Sequence, residues 1–232
     1  FLAQPPQNTT KATYITTTYM QLVREIARLG ITANVHLTLE QLGIGISKEA
    51  AANNLKKIME VSNRSGVFVW CEIKDMKNDY NIVDKIKDGK GLGVVLNSFE
   101  GGLEFAKKER VTRELKIICS DNNGVPESRE KNRQDTLKCI DTIMRHANNL
   151  VLLSPTEAET AKIVKKNGKY KKDLIFEFQL GYTEKKLSKL LKRGMRLSMY
   201  VPFGKDWVNY AINNVPEGYM RAVAGKLLKE GN

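Results

Sequence analysis

The sequence has no apolar run long enough to cross a bilayer. Its longest, "SGVFVWC" and "LVLL", fall far short of the roughly 20 residues that a membrane helix needs. No basic segment followed by an apolar stretch and a small-residue cleavage site opens the chain, so no secretion signal is visible. A soluble or peripherally attached protein is expected. The chain begins on "FLAQPPQNTT" without an initiator methionine, and an upstream segment that could have carried targeting information is expected to be missing.

Cysteine is scarce and unpaired. Cys71, Cys119 and Cys139 are odd in number and widely spaced, which argues against a disulfide framework or a zinc site and for a reducing compartment, the mitochondrial matrix side or the cytoplasm. Histidine is scarcer still. His36 falls in a strand candidate and His146 near a helix end; with no Ser/His/Asp or metal-ligand spacing, hydrolytic and zinc chemistry are not supported and no metal is expected. The glycine cluster "DGKGLG" at Asp88–Gly93 fits neither the Walker pattern nor the dinucleotide fingerprint. Two sequons, at Asn8 and Asn63, are short enough to arise by chance.

What is present is enough apolar sequence for one core: 232 residues, 41% hydrophobic, a natural size for a single α/β domain spanning 1–232. The formal charge of +12 is concentrated. Residues 162–196 hold twelve lysines and arginines against three acids, a local net of +9. Such a segment suits a protein assembly, an anionic surface or peripheral membrane contact. Its lysines are not interleaved with aromatics as stacking platforms would be, so no specific nucleic acid is expected.

Short apolar runs alternate with helical patterns. "TANVHLTL", "VFVWCEI", "GVVLNSF", "LKIIC", "LVLL", "DLIFEF" and "RLSMYV" read as strands, with a possible strand end at Phe1–Ala3 before them. Up to eight doubly buried strands, each followed by a helix, predict a parallel (β/α)8 barrel, with a doubly wound open sheet as the alternative. In a barrel the strand ends carry the site. There the polar residues collect: Thr38, Glu40 and Gln41; Glu72, Lys74 and Asp75; Asn97 and Ser98; Lys116 and 119–122; Ser154; Glu177 and Gln179; Tyr200. Glu72 and Asp75 could share a proton or hold a cation, although an ion pair with Lys74 or Lys116 is the commoner arrangement.

"FEFQ" at Phe176–Gln179 and "MYVPFGKDWVNY" at Met199–Tyr210 resemble the C-terminal signature of the proline dehydrogenases. "LTLEQLGIGIS", "GVFVWCEIKDM" and "GVVLNSF" resemble that family's second-, third- and fourth-strand segments in the same order. The resemblance implies a distorted (β/α)8 barrel with FAD across the strand ends, oxidising L-proline to pyrroline-5-carboxylate. It implies that Tyr200 and Tyr210 line a substrate pocket with Glu72, where the family has aspartate. Cofactor contacts are implied at Asn97, Lys116, Ser154 and Glu177.

The family's carboxylate-gripping arginine pair falls on Asn213 and Asn214, and its second-strand lysine on Thr38. The fifth-strand "R-x-x-K-G-A-Y" pattern reads "KIICSDN", "T-H-D" reads Ser154-Pro155-Thr156, and an aromatic and arginine have become "EGG" at Glu100–Gly102. Neutral amides cannot make the bidentate charged bonds that arginine gives a carboxylate. The expectation is a family barrel with weak or absent activity, serving as a structural or interaction subunit of a larger, possibly mitochondrial, assembly. FAD-dependent oxidation of L-proline or a related amine is the alternative.

Overall fold

The first helix, α1 (Thr9–Arg28), starts ten residues before the apolar spacing that suggests it at Tyr19. Asn8 supplies the start: its side chain accepts a hydrogen bond from the Lys11 amide at 2.9 Å, satisfying a donor that the first turn leaves open. Burial of Ala12, Ile15, Tyr19, Val23 and Ile26 along one stripe then overrides the poor helix propensity of the threonine-rich opening. The computed structural model describes residues 4–75, 78–86, 91–97, 114–119, 126–146, 149–179 and 184–204.

From there strand and helix alternate: β1 (Val35–Thr38), α2 (Lys48–Ser65), β2 (Val69–Ile73), α3 (Asn78–Asp84), β3 (Leu92–Asn97), β4 (Leu115–Ile118), α4 (Pro126–His146), β5 (Asn149–Leu153), α5 (Glu157–Tyr170), β6 (Asp173–Gln179), α6 (Glu184–Lys192) and β7 (Arg196–Tyr200). The seven strands form one sheet in the order β1 to β7, and every neighbouring pair is parallel. This is the α/β barrel architecture expected. The strand candidate at Phe1–Ala3, the helix expected near Gly102–Arg110 and the terminal helix lie outside the described residues.

Local signals set the element ends. Ser47 caps α2, its hydroxyl accepting from the Ala50 amide, and Gly66 ends it in the left-handed region. Thr156 and Glu159 form a reciprocal capping box at the start of α5.

The two faces of the sheet differ. Val35, Leu37, Val69, Cys71, Ile73, Val94, Leu96, Ile117, Leu152 and Phe176 join Ile15, Tyr19, Leu55, Ile58 and Ile143 in the main core under the helices. Residues of opposite parity face inward, where Trp70, Val95 and Val151 make a second cluster with Phe68, Ile118 and Ile175. The sheet curls until its ends meet side chain to side chain: His36 on β1 and Tyr200 on β7 stack edge to face at 5.5 Å. Gly93 on β3 is part of that interior. A Cβ there would fall 2.4 Å from the Trp70 ring, so glycine lets the indole lie across the strand; that packing role, rather than anion binding, accounts for the last glycine of "DGKGLG". No helix among the described residues is long and apolar enough to cross a membrane.

Candidate functional site

Among the described residues the inner face carries two pairs of ionisable groups, one buried and one partly buried. Lys116 on β4 reaches across β5 to Glu177 on β6, Nζ to Oε1 at 2.7 Å, with the lysine side chain 3% exposed. Its ammonium also lies over the Trp70 ring, 5.0 Å from the centroid, a cation–π contact. Ser198 on β7 donates to the other Glu177 oxygen at 3.1 Å. Burial pulls the Lys116 pKa below its ordinary value, and Glu177 opposes that shift.

The second pair joins β1 to β2: His36 Nε2 lies 3.2 Å from Glu72 Oε2. Burial lowers the pKa of His36, against the pull of Glu72, and so favours the neutral ring. Burial would raise the carboxyl of Glu72, but its hydrogen bond with His36, with Lys74 beyond, holds it below the usual range. The anticipated partners of Glu72 are therefore otherwise engaged. Lys74 pairs with Glu40 at 2.6 Å, Lys116 pairs with Glu177, and Asp75 accepts from Asn78 instead of sharing a proton with Glu72. The strand register decides this, because parallel pairing sets Thr38 beside Glu72 and brings His36 within reach.

Thr38 closes the turn after β1, its hydroxyl accepting from the Gln41 amide at 3.3 Å. The Gln41 Oε1 in turn accepts from Tyr19 at 2.6 Å, fixing that turn to α1. Burial pushes the Tyr19 hydroxyl well above its usual pKa. Asn97 ends β3, half-buried. Ser154, just past β5, adopts φ 54°, a conformation uncommon for a side-chain-bearing residue. Its amide donates to the Glu177 carbonyl at 2.7 Å, while its Oγ is buried with no hydrogen-bond partner among the described residues, as is His36 Nδ1. The three cysteines are buried thiols; burial raises all three, Cys139 to about 12. No group of histidine, cysteine or carboxylate side chains suited to a metal occurs among the described residues.

No family model matches the chain. It is 23% identical over 212 residues to proline dehydrogenase 1 of Bacillus subtilis subsp. natto, covering 84% of this chain and 69% of that protein. Against proline dehydrogenase 2 of Bacillus subtilis strain 168 the identity is 20% over 217 residues, covering 85% and 70%. Among solved structures, proline utilization A from Bdellovibrio bacteriovorus, inactivated by N-propargylglycine, superposes with a TM-score of 0.73 at 14% identity, over 88% of this chain. A mutant proline utilization A from Bradyrhizobium japonicum gives 0.69 at 10% identity over 87%. This chain has a proline dehydrogenase-like fold. It spans about a quarter of the length of those solved chains, 28% and 26%.

The proline dehydrogenase-like barrel brings Thr38, Glu72, Asn97, Lys116, Ser154, Glu177 and Tyr200 to the inner face or the strand ends. Tyr210, Asn213 and Asn214 lie outside the described residues, as do Ser98 and residues 120–122. His36 is the residue that sequence reasoning passed over as an ordinary strand histidine. Its place two positions before Thr38 on a strand of period two was the available signal. A groove of about 790 Å³ between α2 and α3, lined by Lys48, Lys56, Asn78 and Lys85, is separate from these residues. Tyr170 does sit among the surface lysines, with Lys169 5.7 Å from its ring centroid. Its hydroxyl points to Asp141 at 3.4 Å, so the ring is packed against α4 and is not a free stacking platform.

Proposed function

We propose that this proline dehydrogenase-like barrel serves as a non-catalytic binding and assembly subunit. One observation carries the reading: the cation buried in the barrel, Lys116, is neutralised from within by Glu177 at 2.7 Å. The family resemblance implies FAD across the strand ends, and flavin reduction places negative charge on the ring system, which a protein stabilises with preorganised positive charge. Among the described residues at the mouth, Lys74 is paired with Glu40 and Lys116 with Glu177, while Thr38 and Asn97 are neutral. This donor set does not fit that requirement.

The family resemblance sets the amides Asn213 and Asn214 at the positions where that family's arginines grip the substrate carboxylate. At about 1.5 to 3 kcal/mol for each charged hydrogen bond, their absence weakens carboxylate binding by roughly 10² to 10⁴-fold. The surface offers an alternative use. Lys162, Lys165, Lys189, Lys192 and Arg193 are exposed on α5, on α6 and just beyond it, a basic face suited to an anionic partner. The three buried thiols suit a reducing compartment, the mitochondrial matrix side or the cytoplasm.

A second reading, FAD-dependent oxidation of L-proline or a related amine, is favoured by the Ser154 hydroxyl, buried at a strand end with no partner among the described residues, which a bound ligand could satisfy. Visible absorbance decides between the two. The purified protein, incubated with excess FAD and freed of unbound cofactor, is expected to be colourless; flavin bands that survive washing would favour the second reading.

A further inference from the structure

The outer groove between α2 and α3, of about 790 Å³, has the size of a small-molecule site and lies on the helix side of the sheet, away from the barrel interior. It exists because the two helices are unequal. α3 has seven residues against eighteen in α2, so it stops level with the middle of its neighbour. Both follow strands of a parallel sheet and run in the same direction, and Lys48 Nζ donates to Asn78 Oδ1 at 2.6 Å, which sets their first residues side by side. At about 1.5 Å of rise per residue, Lys56 and Lys85 then stand about 12 and 10 Å further along, opposite one another at mid-groove. Both line the groove, both are exposed, and neither has an ion-pair partner among the described residues. The floor is apolar: Met59 and Ile82 are buried, and Ala52 and Ile86 are half-buried. Carboxylates mark the two ends. Glu49 adjoins Lys48 at the start, and Glu60, which also lines the groove, lies about 6 Å beyond Lys56.

We propose that this groove binds an amphiphilic organic anion with a single charged head, its carboxylate bridging Lys56 and Lys85 and its alkyl chain lying along Ala52, Ile82 and Ile86. Two ammonium groups from opposite walls give each carboxylate oxygen its own charge-assisted hydrogen bond. The half-buried floor gives the chain apolar surface to cover, and the lysine stems extend that surface toward the rim. The end carboxylates set the specificity. A ligand charged at both ends would bring its second carboxylate beside Glu49 or Glu60, where like charges repel, and a cationic head would meet the two lysines. The site goes beyond the proposed function and does not depend on it, since the groove shares no residue with the strand ends that would hold flavin.

The test is calorimetric titration of the full chain with octanoate, octylammonium, acetate and suberate. Octanoate is expected to bind. Octylammonium, the same chain with the opposite charge, and acetate, the head without the chain, are not; suberate, with a carboxylate at each end, is expected to bind about tenfold more weakly or less. K56Q/K85Q is expected to weaken octanoate about tenfold or more, whereas K162Q/K165Q, which removes the same charge from α5, leaves it unchanged. Equal losses in the two double variants would reduce the effect to general attraction by a basic protein and overturn the proposal, as would suberate binding as well as octanoate or octanoate not binding at all. If K56Q/K85Q does not fold, methyl NMR spectra of the wild type decide: octanoate must shift the Met59 and Ile82 signals, and shifts confined to Val151 and Ile175 would place the ligand in the barrel and overturn the groove site. Flavin retention bears on the proposed function alone and leaves each of these outcomes as it stands.

Discussion

Replacing Lys116 by methionine while Glu177 stays would strand a carboxylate in the barrel, with Ser198 as its remaining side-chain hydrogen bond among the described residues. Removing one partner of a buried ion pair costs about 3 to 5 kcal/mol, whereas removing both in favour of apolar side chains is often close to neutral. K116M is therefore expected to lower the stability measured by urea denaturation by that amount, and K116M/E177L to regain most of it. Equal losses in the single and double variants would show that the interior does not treat the two residues as a pair. Strand-end polarity already marked Lys116, Glu177, Glu72 and Tyr200 in the sequence. Their partners were not legible, because the Lys116–Glu177 bond spans 61 residues and His36–Glu72 depends on strand register, neither of which a local pattern encodes.

Among the elements, β3 is the most constrained by a single atom. An alanine methyl at Gly93 would lie 2.4 and 2.5 Å from two carbons of Trp70 and 2.9 Å from Phe68, inside van der Waals contact. Overpacking of this kind costs roughly 1 to 3 kcal/mol or more. G93A should lower the thermal midpoint clearly, and G93A/W70L should recover part of the loss by clearing the indole from that space. If G93A melts like the wild type, Trp70 has another position open to it.

The seven strands sit where short apolar runs bounded by turn residues suggested them, since a strand buried on both faces must be apolar throughout. The helices were legible where a cap and an amphipathic stripe coincide, as in α2 with Ser47 and Gly66. The first half of α1 was not. Its "TTKATYITTTY" run is poor in helix formers, and contact with the core decides its state.

At the scale of the whole molecule, the basic face and the barrel interior obey opposite rules. The interior Lys116 is paired and buried, whereas Lys162, Lys165, Lys189 and Lys192 are exposed, and exposed Val164 and Leu191 lie among them. Lysines near an anionic lipid surface contribute about 1 kcal/mol each, screened within a Debye length. In co-sedimentation the protein is expected to bind phosphatidylserine vesicles at low salt, to release as salt rises, and to bind less well as K165E/K189E. Salt-independent binding, or an unaffected variant, would remove the basic face from consideration as an electrostatic surface.

The strict neighbour order of the strands bears on how the barrel could be divided. Each strand finds its partner in the next, so backbone pairing alone would let a piece ending after β5 close its ladder. The interior forbids that economy: such a piece would hold Lys116 without Glu177, a lone ammonium in an apolar lining. The Lys116–Glu177 pair thus sets a charge cost on a cut between β5 and β6 that the strand pairing alone would not.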